Sequence, residues 1–335
     1  MDGLTGFADG PALVPPEGLL AAIRRLGKTA GIDDALPLLR HRSDITGSMR
    51  NGRTSCGGSS RLLRASDHWV AVSLARHEDV DLVPAWLGGP ELEERLARVP
   101  AVDAVARGRM LGLPVAALGE RSVTTVARAT RLGDAPPLTR PPLVVDLSSL
   151  WAGPLCTRIL LARGARVVKV ESTTRPDGAR HGPPEFFELL NAGKECVSID
   201  FTAADLSTLL LTADVVVEGS RPRALEQLGI DAAAVVRDGP QVWLSITAHG
   251  RTGPQRDWVG FGDDTAVAGG LVAWWRDEPC FVADAIADPL TGVAGAGAVM
   301  DALRRGGRWL IDCNLADVSA HVAAAALGDP WVPAA

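Results

Sequence analysis

The sequence predicts an α/β protein: a doubly wound parallel sheet, with a second, smaller α+β domain ahead of it. Three observations lead there. From Leu143 onward, short apolar runs alternate with helical stretches, as a parallel sheet with crossover helices requires. Before that point the chain mixes glycine-rich turns, short paired strands and amphipathic helices. Between the two lies GDAPPLTRPP, residues 133–142, whose prolines disfavour helix and mark a linker. With 335 residues and 47% hydrophobic content, the chain has enough apolar surface for two cores.

Residues 1–45 read as an N-terminal helical segment. Leu19, Leu20, Ile23 and Leu26, and later Leu36, Leu38 and Leu39, recur at amphipathic spacing. The small domain, 46–132, opens on a flexible loop around Gly52, Gly57 and Gly58. Strands follow at Arg61–Ala65 and Trp69–Leu74, hinged at Ser66-Asp67. From Glu91 to Leu111 the period is helical (Leu92, Leu96, Val99, Val102, Val105), and LGLPVAALG is extended. In the large domain, 143–335, strands are expected at Leu143–Leu147, Arg166–Glu171, Val197–Phe201, Val215–Glu218, Val242–Thr247 and Trp309–Cys313. Helices are expected at Pro154–Arg163, Ala203–Leu211, Arg223–Leu228 and Pro289–Arg304. On such sheets ligands bind where strand ends feed helix N-termini. The turns Ala152-Gly153-Pro154 and Ala287-Asp288-Pro289 are loops of that type.

The stretch FVADAIADPLTGVAGAGAVMDALRRG, Phe281 to Gly306, reads as a strand, a turn and a long helix. Asp288 falls at the N-cap and Pro289 at the first helical position. The helix dipole favours an ionised carboxylate there, which makes Asp288 an expected anion and a potential nucleophile. Gly292, Gly295 and Gly297 each cost roughly 1 kcal/mol against alanine in a helix. Something must therefore approach that face closely. Taken alone, these residues describe a capped, tightly packed helix as well as a reactive one.

Composition excludes several classes. A formal net charge of −6 argues against nucleic acid or anionic membrane as the partner. Cys56, Cys156, Cys196, Cys280 and Cys313 are scattered without CxxC spacing, which fits reduced thiols in the cytoplasm. The histidines lack ligand spacing, so no metal is expected. The N-terminus has no basic stretch followed by an apolar run, and no apolar run reaches the roughly 18 residues of a membrane span. The expectation is a soluble cytoplasmic protein. There is no tyrosine, and GxGxxG, P-loop and GxSxG signatures are missing. Only Lys28, Lys169 and Lys194 are lysines.

From Leu143 to about Val318 the chain resembles the family III CoA-transferases, the group that holds formyl-CoA and carnitine CoA-transferases and alpha-methylacyl-CoA racemase. VVDLSSLWAGPLCTRILLARGARVVKVES is similar to the family's opening strand, AGP turn, helix and second strand. RPDGAR brings Arg180, LLNAGKECVSIDF keeps Asn191 and Lys194, and ADVVVEGSRPRALEQLGI, VWLSITAHGRTGP, GFGDDTAVAGGL and ADPLTG follow in family order. Gly219 and Arg223 replace the usual Asn and Gly. In the first half, CGGSSRLLRASDHWVAVSL and LGLPVAALGE resemble the glycine loop, first strands and closing segment of the family's small domain. That material follows the large, Rossmann-like domain in most members and precedes it here, as in a circular permutant.

The resemblance implies CoA transfer from an acyl-CoA to a carboxylic acid, with CoA as substrate and no permanently bound cofactor. It places Asp288 on the catalytic aspartate, which forms an acyl anhydride and then an aspartyl-CoA thioester. Arg180 and Lys194 are the expected phosphate partners, Trp151 and Ala152 the expected CoA contacts, and Gly57-Gly58 the shield over the anhydride. It also implies a homodimer. The racemase branch would need a second acid/base; its usual His after the Gly is replaced by Phe261, which leaves Asp263 and Asp264 as substitutes. A non-catalytic CoA-binding relative is a further alternative. A nicotinamide enzyme using Glu171 as ribose ligand lacks its glycine fingerprint.

Overall fold

The computed structural model describes residues 3–122 and 125–334. Helix α1 (Glu17–Thr29) buries Leu19, Ala22, Ile23 and Leu26, the stripe the spacing marks. The short helix α2 (His41–Thr46) ends on Gly47 in the left-handed conformation. Strands β1 (Ser60–Arg64), β2 (Trp69–Ser73) and β3 (Val115–Ala117) form a small antiparallel sheet. The helical run expected between Glu91 and Leu111 is two helices, Leu92–Leu96 and α3 (Ala101–Met110), with Pro100 starting the second. Proline has no N–H to continue the first ladder. Val102 consequently faces solvent while Val105 is buried. Val70, Val72, Trp86, Leu96, Val105 and Leu113 close a core of their own.

The second sheet has seven strands: β4 (Arg128–Gly133), β5 (Leu143–Asp146), β6 (Arg166–Ser172), β7 (Glu195–Ile199), β8 (Val215–Glu218), β9 (Val242–Thr247) and, after the hairpin β10 (Val272–Trp275) with β11 (Glu278–Phe281), β12 (Arg308–Asn314). Their order is β4-β12-β9-β8-β5-β6-β7. The six strands read from the apolar runs are all present and run parallel. β4 was not legible in RATRLG, whose side chains stay largely exposed, and it lies antiparallel on the β12 edge. The chain steps outward from β5 through β6 and β7, then returns to β8 and steps the other way. The crevice beyond the ends of β5 and β8 is therefore the switch point.

Helices α4 (Ala152–Ala162), α5 (Pro184–Asn191), α6 (Ala203–Thr212), α7 (Gly262–Ala268), α8 (Ala287–Arg305) and α9 (Leu315–Ala324) cover the sheet. The glycines of α8 are spent on three close approaches. A Cβ on Gly292 would stand 2.6 Å from the Ala152 carbonyl oxygen, and one on Gly295 would stand 2.9 Å from Leu244. One on Gly297 would strike Thr29 at the end of α1. α4, β9 and α1 thus all press on one helix. Leu19, Ile23, Leu26 and Leu39 of the N-terminal segment join Val293 and Val299 in the main core. Leu62, Trp69 and Ala71 of the small sheet meet Val267 of α7 and Phe281 of β11. α7 is the seam between the two sheets.

Candidate active site

The loop from β11 to α8 is bent by two residues that are not glycine. Ala283 (φ 52°) and Ala285 (φ 43°) both lie in the left-handed region. Such residues persist only where their surroundings over-determine them, typically at functional sites. Here the surroundings are explicit. The Ala283 N–H donates to Thr5 Oγ1 at 3.2 Å, and the Ala285 N–H donates to Asp263 Oδ1 at 3.1 Å. The Cys56 thiol reaches the Ala283 carbonyl at 3.3 Å.

This loop starts α8 one residue early. Ala287 is already helical, Ile286 precedes it, and Asp288 is the second helical residue instead of the N-cap. The expected cap is therefore corrected: the Asp288 carboxylate does not fold back onto its own helix. It accepts instead from the Gly262 N–H at the start of α7. A Cβ on Gly262 would lie 2.5 Å from the Ala285 carbonyl and collide with the Asp288 carboxylate, so only glycine lets the two helices meet there.

Asp288 is half-buried, whereas Ala287 and Pro289 on either side of it are buried. Burial pushes its pKa up to about 7; Arg42 opposes this, Asp263 and Asp284 add to it, and the Gly262 N–H opposes it. The permanent anion expected from the helix dipole is corrected too. Desolvation outweighs a dipole worth at most about 2 kcal/mol.

Arg42, from α2, closes the site. Its Nε donates to Asp284 Oδ2 at 2.8 Å and its second nitrogen to Asp284 Oδ1, a two-pronged pair with a buried carboxylate. The same guanidinium lies 5.0 Å over the Trp151 ring. It also faces Asp263 and Asp288. Burial, followed by Asp284 and Asp263, pushes the Cys56 thiol up to about 12, so it is no thiolate nucleophile. Arg42 and Asp284 escaped the sequence reading. The one signal was a second aspartate four residues before Asp288, one helical turn away in ADAIADP.

Of the residues expected at CoA, four gather here. Ala152, the first residue of α4, presses its carbonyl on Gly292, one turn beyond Asp288 on the same helix. Trp151 is buried under Arg42 and meets Phe186 edge-on at 5.1 Å, so its ring is wall, with only its packing role visible. Gly57 and Gly58 form an exposed turn in which the Gly58 N–H donates to the Ser55 carbonyl at 2.9 Å. A Cβ on Gly57 would lie 3.7 Å from the Arg42 guanidinium.

Arg180 lies in the short turn Gly178–His181 that follows β6. It pairs with Glu171 at the end of β6, stacks 3.9 Å over Phe187 and keeps 42% of its side chain exposed. Its turn is tied to the AGP loop, because Asp177 Oδ1 accepts the Leu150 N–H at 2.8 Å. Lys194 departs from expectation. Its side chain is 0% exposed, and its ammonium donates to Asp146 Oδ2, the Pro154 carbonyl, Thr157 Oγ1 and Asn191 Oδ1 at 2.8–3.1 Å. Every donor is occupied, so Lys194 holds the first turn of α4 in place and is no phosphate ligand. Asp263 and Asp264 are buried at the seam. No group of metal-ligating side chains is found among the described residues, and no helix among them is long and apolar enough to cross a membrane.

Residues 142–333 match CoA-transferase family III. The chain is 30% identical over 217 residues to a succinate–glutarate CoA-transferase of Agrobacterium fabrum, 56% of this chain and 54% of that one. It is 31% identical over 183 residues to an acyl-CoA transferase of Fusarium pseudograminearum, 48% of this chain and 40% of that one. A CaiB/BaiF family protein from Brucella suis superposes with a TM-score of 0.52 at 30% identity, covering 57% of each chain. The chain spans about half the length of the curated relatives it matches. With the parallel sheet, the AGP turn and the aspartate of ADPLTG in the family's order, the chain belongs to CoA-transferase family III.

Proposed function

We propose that the protein moves CoA from an acyl-CoA to a carboxylic acid, with Asp288 as the nucleophile. The observation that carries this reading is a half-buried carboxylate, free of any cap, facing a guanidinium and a backbone N–H. In the scheme, Asp288 attacks the thioester carbonyl, the C–S bond breaks, and CoA thiolate leaves an acyl–aspartyl anhydride. The thiolate attacks the aspartyl carbonyl and releases the first acid. The acceptor carboxylate then attacks the aspartyl-CoA thioester, and returning thiolate takes the new acyl group and frees Asp288. No net proton is consumed, which suits a site without an exposed general acid. Arg42 and the Gly262 N–H supply positive charge where oxyanions develop.

Arg180, half-exposed and held by Glu171, is the phosphate partner in this reading. Gly57-Gly58 cover the anhydride. The small sheet stands in for the family's small domain, placed ahead of the large one, and the active protein is a cytoplasmic homodimer. Of the two racemase candidates, Asp263 has both carboxyl oxygens engaged inside the protein, by the Ala285 N–H and by Ser60, and Asp264 is buried with Oδ1 held by the Phe261 N–H and Ser73. That favours transfer. Mass spectrometry of the intact protein after incubation with a panel of acyl-CoAs tests the reading. An acyl or CoA adduct on the peptide containing Asp288 is expected; deuterium exchange at the acyl α-carbon without any adduct would replace transfer with racemisation.

A further inference from the structure

The seam between the small sheet and α7 holds a row of four side chains for which the transfer scheme has no use. Asp263 Oδ2 and Ser60 Oγ are 3.0 Å apart, Ser60 Oγ and Ser73 Oγ 2.8 Å, and Ser73 Oγ and Asp264 Oδ1 2.9 Å. None of the four residues is more than 7% exposed. Each of the three contacts needs a hydrogen, because buried polar atoms at that spacing are bonded. The two serines supply two. With both carboxylates ionised, one contact would set lone pair against lone pair. Two unpaired charges would also lie side by side in the interior. One more proton satisfies all three contacts.

The neighbouring charges bear on where that proton sits, since each carboxyl already accepts one backbone N–H, Asp264 Oδ1 from Phe261 at 2.8 Å and Asp263 Oδ1 from Ala285 at 3.1 Å. With the proton on Asp263, the hydrogens run from Asp263 Oδ2 to Ser60, from Ser60 to Ser73, and from Ser73 to Asp264. Burial pushes both carboxyls up, which disfavours a second charge in the row. Asp263 also faces Arg42, Cys56, Asp284 and Asp288, whereas Asp264 faces Asp263. A single guanidinium thus stands against three carboxyls, and it is committed to Asp284.

We propose that Asp263 is a positioning residue that holds a proton through the Ser60–Ser73–Asp264 row, so that Asp288 is the carboxyl left free to ionise. The catalytic meaning rests on Asp288 being the nucleophile; the shared proton does not. Breaking the row lets Asp263 ionise, and its charge then raises the proton affinity of Asp288.

The test is an NMR titration of aspartate carboxyl carbons in the labelled full-length protein, assigned with Asp263→Asn and Asp264→Asn. One carboxyl of the pair is expected to stay protonated at neutral pH while the other is ionised. In Ser73→Ala that proton is expected to leave at lower pH, and the pH midpoint for acyl adduct formation at Asp288 is expected to rise by about one unit. Ser73→Thr, which restores a hydroxyl, is expected to reverse both effects. Ser73→Cys, whose thiol is a weak donor and a weak acceptor, repeats the measurement if the alanine variant does not fold. Both carboxyls ionised at neutral pH in the native protein, or an unmoved titration in both variants, would overturn the proposal. If no adduct forms at all, the transfer reading fails, while the titration still decides the proton.

Discussion

Arg42 and Asp284 stand 242 positions apart in the chain and meet in a two-pronged ion pair, with Nε 2.8 Å from Oδ2. The pair joins a short helix of the N-terminal segment to the loop that presents Asp288. It turns a strained backbone into a fixed one, and it brings a guanidinium whose charge favours the ionised form of Asp288.

Removing that guanidinium leaves a buried carboxylate alone. Arg42→Ala is expected to cost roughly 3–5 kcal/mol, the scale for an orphaned buried charge. Arg42→Lys keeps the charge and loses the fork, so it is expected to retain most stability but less activity. Denaturant titration with adduct mass spectrometry separates the two effects. Equal stability of the alanine variant and the native protein would show the pair to be incidental.

Asp288 titrates near 7, so adduct formation is expected to rise with pH through that value. Stability moves the opposite way. A carboxyl whose folded pKa is raised from 3.8 to about 7 helps folding below the lower value and loses that help as pH climbs through the higher one. Asp288→Asn is expected to abolish the adduct and to gain stability over the native protein above pH ~7, on the order of 2 kcal/mol. Melting curves on both sides of neutrality check the sign.

Lys194 and Arg180 are expected to part company. Lys194→Ala strands Asp146 in the interior and is expected to destabilise by roughly 3–5 kcal/mol. Arg180→Ala takes the arginine from the buried Glu171 carboxylate, which keeps the Asp177 N–H, and is expected to cost less, roughly 1–3 kcal/mol. In calorimetry with CoA, the arginine variant is expected to bind more weakly by roughly 1–3 kcal/mol. Native affinity in that variant would move the phosphates elsewhere.

Gly292→Ala places a methyl against a carbonyl that cannot rotate away. The overpacked α4–α8 contact is expected to cost roughly 1–3 kcal/mol and to slow adduct formation, because the displaced helix carries Asp288. Gly58→Ala meets nothing nearby, and only its positive φ is strained. About 1 kcal/mol is expected there. Thermal melts of the two variants compare steric with conformational strain.

The apolar strands announced themselves because a parallel sheet buries both faces, and Val215–Val217 or Val242–Leu244 read as unbroken runs. RATRLG gave no such signal, since an edge strand with exposed side chains needs only backbone bonds. The stripe Gly292, Gly295 and Gly297 foretold close contacts, and their partners Ala152, Leu244 and Thr29 come from three distant segments that no local pattern connects. Lys194 was misplaced for a related reason. A motif fixes the residue type but not the direction of its side chain, and here the ammonium turns inward to Asp146. The proton row was illegible because Ser60 and Ser73 belong to the small sheet and Asp263 and Asp264 to α7.

The position of β4 alters the mechanics of the whole chain. Helices α1 and α2 pack into the main core before the small sheet begins, and β4 returns to the β12 edge after it ends. The small sheet, which precedes the large one in the chain, is therefore tethered at both ends. A unit held by one tether can swing in any direction; one held by two turns about the line between them. Cutting at residues 133–142 would accordingly not release it. After such a cut β4 would stay paired with β12 and α1 packed in the main core, so a separable fragment has to be made by excising the stretch between the tethers.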